Sequence, residues 1–132
     1  MKAFRAAVEA GDFVGLGELL ADDVVFRSPV AFKPYEGKPI VAAILRGVGR
    51  VFTDFRYVRE LEDADGAGSA LVFETVVDGV SVNGIDLIRT DDAGLVNELT
   101  VMVRPLSASN ALAAAMASQF DQIVAEASGE SA

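Results

Sequence analysis

The dipeptide Asp78-Gly79 sits between two long β-favouring runs, Leu71 to Val77 and Val80 to Thr90, and constrains this chain more than any other pair of residues. Asp-Gly suits a two-residue hairpin loop because both central positions of that turn need a positive φ. Such a loop pairs Val77 with Val80. Stepping by two then pairs Thr75 with Val82, Phe73 with Gly84 and Leu71 with Asp86. One face of the hairpin carries Leu71, Phe73, Thr75, Val77, Val80, Val82, Gly84, Asp86 and Ile88. The other carries Val72, Glu74, Val76, Ser81, Asn83, Ile85, Leu87 and Arg89. The first face is the more apolar and is the expected interior.

That register turns an acid, Asp86, toward the interior. Arg89 lies three residues further on, falls on the opposite face and cannot neutralise it within the strand. A bulge at Gly84 would reverse the assignment. A carboxyl buried among apolar neighbours has a raised pKa and stays protonated near neutral pH. It can then donate a hydrogen bond to a ligand carbonyl or a developing oxyanion. The alternative is a structural acid satisfied by a backbone N–H, a hydroxyl or water, and the residues leave both open.

Around this hairpin the period of the pattern changes. Phe4, Ala7 and Val8 share a helical face that Gly11 stops. Asp12 can cap a second short helix carrying Phe13, Leu16, Leu19 and Leu20, broken at Asp22-Asp23. Val24 to Ser28 alternates as a strand ended by Pro29, and Val30 to Gly37 reads as a loop. Pro39 opens a third helix with Ile40, Ile44 and Val48 along it; Gly47 and Gly49 weaken its end near Val51. From Asp54 the period is two, with Phe55, Tyr57 and Leu61 on one face. A turn-rich connection over Asp63 to Ser69 leads into the hairpin. Asp91 to Gly94 turns again, Leu95 to Arg104 is the last strand, and Pro105 stops it. Ser107 to Asn110 offers caps for a final helix striped by Leu112, Met116, Phe120 and Ile123. The order predicts an α+β fold: helices on one face of a curved, mainly antiparallel sheet, as one domain over 1–127 with a frayed tail over 128–132.

Composition narrows the chemistry. The 132 residues are 52% hydrophobic, enough for a core, and carry a net charge of −9 that would repel nucleic acid or an anionic membrane. There is no Cys and no His, so thiol chemistry, thiolate or imidazole metal sites and every His-containing triad are excluded. Acid–base work falls to Asp, Glu, Tyr or Lys. No metal-ligand cluster, phosphate loop or nucleophile elbow occurs, so no metal and no cofactor is expected. No apolar run reaches the ~20 residues that span a bilayer, and Met1-Lys2 leads into an amphipathic segment rather than a signal peptide; a cytoplasmic protein is expected.

Three segments carry a family resemblance. They are Glu9 to Asp12 followed by Leu19 to Val24; Phe26-Arg-Ser-Pro29; and Ile85 to Arg89 with Gly94-Leu-Val and Val103-Arg-Pro105. On these the chain resembles the nuclear transport factor 2-like superfamily, in its SnoaL-like and ketosteroid-isomerase-like branch. The resemblance implies a cone-shaped α+β barrel enclosing an apolar pocket, and homodimerisation through the outer sheet face. It also implies that Asp86 matches the acid of the ketosteroid isomerase oxyanion hole, an enzyme in which that acid is kept neutral by its site. Where those enzymes place the tyrosine of the oxyanion hole this chain has Phe4, and where they place the general-base aspartate it has Ser28. An Asp-Arg-Asp arrangement like that of the epoxide hydrolase branch would need Arg89 in the pocket, and it faces the other way.

Parity in the last strand puts Leu99, Val101 and Val103 inside. Phe4, Phe26, Ser28, Leu71 and Phe73 complete the expected pocket wall, although core packing uses the same residue types. The expectation is a protein that binds a small, apolar, carbonyl-bearing molecule with Asp86 as acid or hydrogen-bond donor, and that is not a competent ketosteroid isomerase. A non-catalytic binding module or a dimerisation domain remains the alternative. Val72, Val76, Ile85, Leu87 and Met102 form the outer apolar face, and Tyr57 has a polar tip whose direction the pattern does not give.

Overall fold

The computed structural model describes residues 2–129. Helices α1 (Lys2–Ala10) and α2 (Phe13–Glu18) lead into β1 (Leu20–Arg27) and the two-residue β2 (Tyr35–Glu36). Helix α3 (Lys38–Val51) follows, then β3 (Thr53–Glu62), β4 (Gly68–Val77), β5 (Val80–Thr90), β6 (Val96–Arg104) and α4 (Leu106–Gly129). The strands form one sheet in the order β2-β1-β6-β5-β4-β3, antiparallel except where β1 runs parallel to β6. The sheet does not close on itself, and the helices cover its concave face. Residues 130–132 of the expected tail lie outside the described residues, while Ser128 and Gly129 are helical.

The hairpin register is the expected one. Asp78 and Gly79 both have positive φ, at 48° and 79°. The β4–β5 ladder then runs without interruption from Val77–Val80 through Phe73–Gly84 and Leu71–Asp86 to Gly68–Arg89. No bulge occurs at Gly84. The glycine is needed for space instead: a Cβ there would overlap the ring of Phe73 across the ladder.

Three expectations are corrected. Leu61 does not share a face with Tyr57, because the pairing passes from Tyr57–Phe73 to Arg59–Val72; one extra residue in β3 flips the parity and leaves Leu61 exposed. Asp22-Asp23 does not separate a helix from a strand. β1 already begins at Leu20, and the two acids sit, exposed, where its pairing to β6 slips between Leu20 and Val25. Ser107 to Asn110 lies inside the first turns of α4 rather than ahead of it.

Helix packing explains the rest. Asp12 caps α2 by accepting from the backbone N–H of Gly15 at 2.9 Å. Helix α3 ends at Val51, as expected, and Gly47 and Gly49 near that end let it be approached closely. A Cβ at Gly47 would come within 2.7 Å of Ile123 on α4, and one at Gly49 within 2.5 Å of the Phe13 ring. Glu126 of α4 accepts from Arg46 at 3.2 Å and from Arg50 at 2.8 Å, tying the two helices together at their edge.

Candidate functional site

Between the concave sheet face and the helices lies a cavity of about 420 Å³, with walls from α1, α2, α3, α4 and strands β1 to β6. Its lining is overwhelmingly apolar and aromatic. Among the described residues the polar side chains that reach it are Asp86, Tyr57, Ser28, Tyr35 and Glu9, and neither Lys nor Arg lines it.

Asp86 is buried and faces this cavity. The Tyr57 hydroxyl donates to its Oδ2 at 3.0 Å. Tyr57 stands on β3, two strands away from β5, and its side chain bridges β4 to reach the acid. The tyrosine is itself locked: its ring meets Phe55 edge-on at 4.9 Å, and Phe55 stacks on Phe73 at 5.1 Å. On its outer side the Arg5 guanidinium lies 5.5 Å from the Tyr57 ring, held by Glu60 at 3.2 Å and Glu9 at 3.3 Å.

These surroundings set the protonation states. Burial raises the Asp86 carboxyl to about 7, with the Tyr57 hydrogen bond pulling the other way. Tyr57 is pushed well above its ordinary value by burial and by the neighbouring Asp86 charge, so it remains a donor. Among the described residues no second group hydrogen-bonds Asp86, which leaves its other oxygen for the cavity. The pair therefore presents a carboxyl of fixed orientation that exchanges a proton near neutral pH. Such a group can donate to a carbonyl when protonated, or accept a proton when ionised.

Of the residues expected around Asp86, the cavity is lined by Phe4, Phe26, Ser28, Phe73, Leu99 and Val101. Leu71 and Val103 do not line it. Leu71 is wholly buried on β4 between Glu60 of β3 and Asp86 of β5. Val103 pairs with Gly84, and the Phe73 ring, lying over that glycine, closes the row. Glu9 and Tyr35 reach the cavity without a signal in the sequence pattern, which gives no direction for Tyr57 either. The signal for Tyr57 was its alternation with Phe55, but only three-dimensional pairing shows that its hydroxyl reaches across two strands. Arg89 lies outside with Asp63 at 3.3 Å and Asp65 at 4.0 Å, so the chain's Asp-Arg-Asp grouping is at the exposed strand ends rather than in the cavity.

The match to known proteins fits this geometry. The SnoaL-like domain family matches residues 1–99. The fold is similar to a steroid delta-isomerase from Pseudomonas aeruginosa, with 43% identity over 92% of this chain and 89% of that one, at a TM-score of 0.87. It is also similar to an uncharacterized protein with a cystatin-like fold from Silicibacter pomeroyi DSS-3, with 36% identity over 89% and 82% of the two chains and a TM-score of 0.84. An epoxide hydrolase/cyclase-like enzyme, SalBIII, of pyran ring formation in the polyether salinomycin, shares the fold at 15% identity, over 76% of this chain and 84% of that one, with a TM-score of 0.65. No curated protein gives a significant match.

Proposed function

The chain belongs to the SnoaL-like domain family, and from that premise we propose that it binds a small, neutral, largely apolar carbonyl compound, with Asp86 as the acid or hydrogen-bond donor. One observation carries the reading: a buried carboxyl, fixed by the Tyr57 hydroxyl, is the polar focus of an apolar cavity. Among the described residues the wall carries the acids Asp86 and Glu9 and neither Lys nor Arg, which favours a neutral ligand over a carboxylate or phosphate. The chemistry supported is a cofactor-free isomerisation or cyclisation through the polarised carbonyl.

The Pseudomonas aeruginosa relative is named a steroid delta-isomerase, yet this proposal does not extend ketosteroid isomerisation to the present chain. Phe4 cannot donate a hydrogen bond and neutral Ser28 cannot shuttle a proton. One lost oxyanion donor alone costs roughly 3 kcal/mol of transition-state stabilisation. A measurable rate on a 5-ene-3-ketosteroid contradicts this part.

Calorimetric titration with 2-decalone at pH 6 tests the binding role. Binding by the wild type and at least tenfold weaker binding by Asp86→Leu is the expected result; equal affinity refutes it. The same reading includes a single domain over 1–127, cytoplasmic residence and a homodimer through the outer sheet face, where Leu87 and Met102 are exposed. Among the described residues no helix is long and apolar enough to cross a membrane.

A further inference from the structure

The cavity has a second polar position, on the opposite wall from Tyr57. Ser28 follows the last β1–β6 pair, Arg27 with Thr100, and so stands alongside Val101; Val101 in turn pairs with Asp86. Ser28, Val101 and Asp86 therefore form one transverse row across β1, β6 and β5. At ordinary strand spacing the two outer Cα atoms are about 10 Å apart. Ser28 and Asp86 both line the cavity.

The serine hydroxyl is oriented. Its Oγ accepts from the backbone N–H of Val30 at 3.1 Å, which fixes the oxygen and leaves its own proton to donate. Among the described residues no acceptor takes that proton. Tyr35 lies one strand beyond β1, in the row of Phe26 and Leu99 rather than that of Asp86. Glu9 is held by Arg5, and the Tyr35 ring stands between Phe26 and Phe120, 6.4 Å from each.

We infer that Ser28 is a specificity-determining donor, and that the cavity selects a neutral apolar molecule with two oxygen functions, one for Asp86 and one for Ser28, separated by an apolar spacer. This rests on the reading of Asp86 above and adds the ligand's second end. Between the two donors the wall offers Val101 and Leu99, so the spacer gains by being a hydrocarbon ring system. A hydrogen bond formed at a second, pre-oriented donor contributes about 1 kcal/mol, or roughly five- to tenfold in affinity.

Calorimetric titration at pH 6 with two matched probes, 2-decalone and trans-decalin-2,6-dione, separates the possibilities. The wild type is expected to bind the dione five- to tenfold more tightly than the monoketone. Ser28→Ala should abolish that advantage, bringing the dione to the monoketone's affinity for the same variant, with an unaltered melting temperature confirming the fold. If the wild type binds both ketones equally, or if the advantage survives in Ser28→Ala, the second donor is refuted and the role of Asp86 stands. If neither ketone binds, both readings fall.

Discussion

Ionising Asp86 costs folding free energy, because the carboxylate must form among aromatic and aliphatic side chains rather than in water. Its pKa is raised from 3.8 to about 7 in the folded protein, so over that interval the native state holds a proton that the unfolded chain has released. The residue's contribution to stability is therefore complete below about pH 4, falls as pH rises toward 7 and is flat above. Asp86→Asn keeps the shape and still accepts from Tyr57 but cannot ionise. Relative to wild type it should gain about 3 kcal/mol between pH 5 and pH 8, measured by urea unfolding at both values. A constant difference contradicts the buried titration. Asp86 was legible in the sequence because an acid in a period-two apolar run is conspicuous. Tyr57 was not, since one residue of β3 gives no hint that its hydroxyl crosses β4 to find that acid.

At the scale of elements, the register of β4 and β5 follows from the Asp78-Gly79 turn and holds through ten pairs. The same arithmetic failed in β3. Its bulges, near Asp54 and between Tyr57 and Arg59, have no composition signal comparable to a glycine turn, and one inserted residue exchanges inner for outer faces. Parity gave the inner faces of β4, β5 and β6, but facing inward is not the same as reaching the cavity: Leu71 and Val103 both pack into the core without lining it. Gly84 is where sequence and packing meet most tightly. Its Cα hydrogens face the Phe73 ring, which stacks on Phe55 behind Tyr57. Gly84→Ala should destabilise the fold by about 3 kcal/mol through overpacking, despite alanine's better backbone propensity. Chemical denaturation checks this; a change below 0.5 kcal/mol, well within the ordinary range for a harmless substitution, is incompatible with the packing described.

The whole molecule is a half-open cone whose inner surface is the candidate site and whose outer sheet face keeps apolar residues in solvent. Met102 and Leu61 are about half exposed, at 52% and 49%, and Leu87 is at 38%. Face-to-face pairing of two sheets would bury them. Sedimentation at micromolar concentration should give a dimer mass, and Leu87→Arg with Met102→Arg should give a folded monomer. A monomeric wild type refutes the interface. The α+β architecture was readable because long strands, turn glycines and helical stripes are local signals. The cavity was expected only through the family resemblance, because whether apolar walls meet or stand apart depends on helices placed by Gly47, Gly49 and the Glu126 ion pairs.

The most direct test of the account is the titration of the Asp86 carboxyl carbon by carbon-13 NMR, assigned by comparison with Asp86→Asn. The account predicts a midpoint near 7 in the wild type, moving higher in Tyr57→Phe because the hydroxyl that favours the carboxylate is gone. A midpoint near 4, unchanged by Tyr57→Phe, would show a solvated surface acid and contradict the central claim.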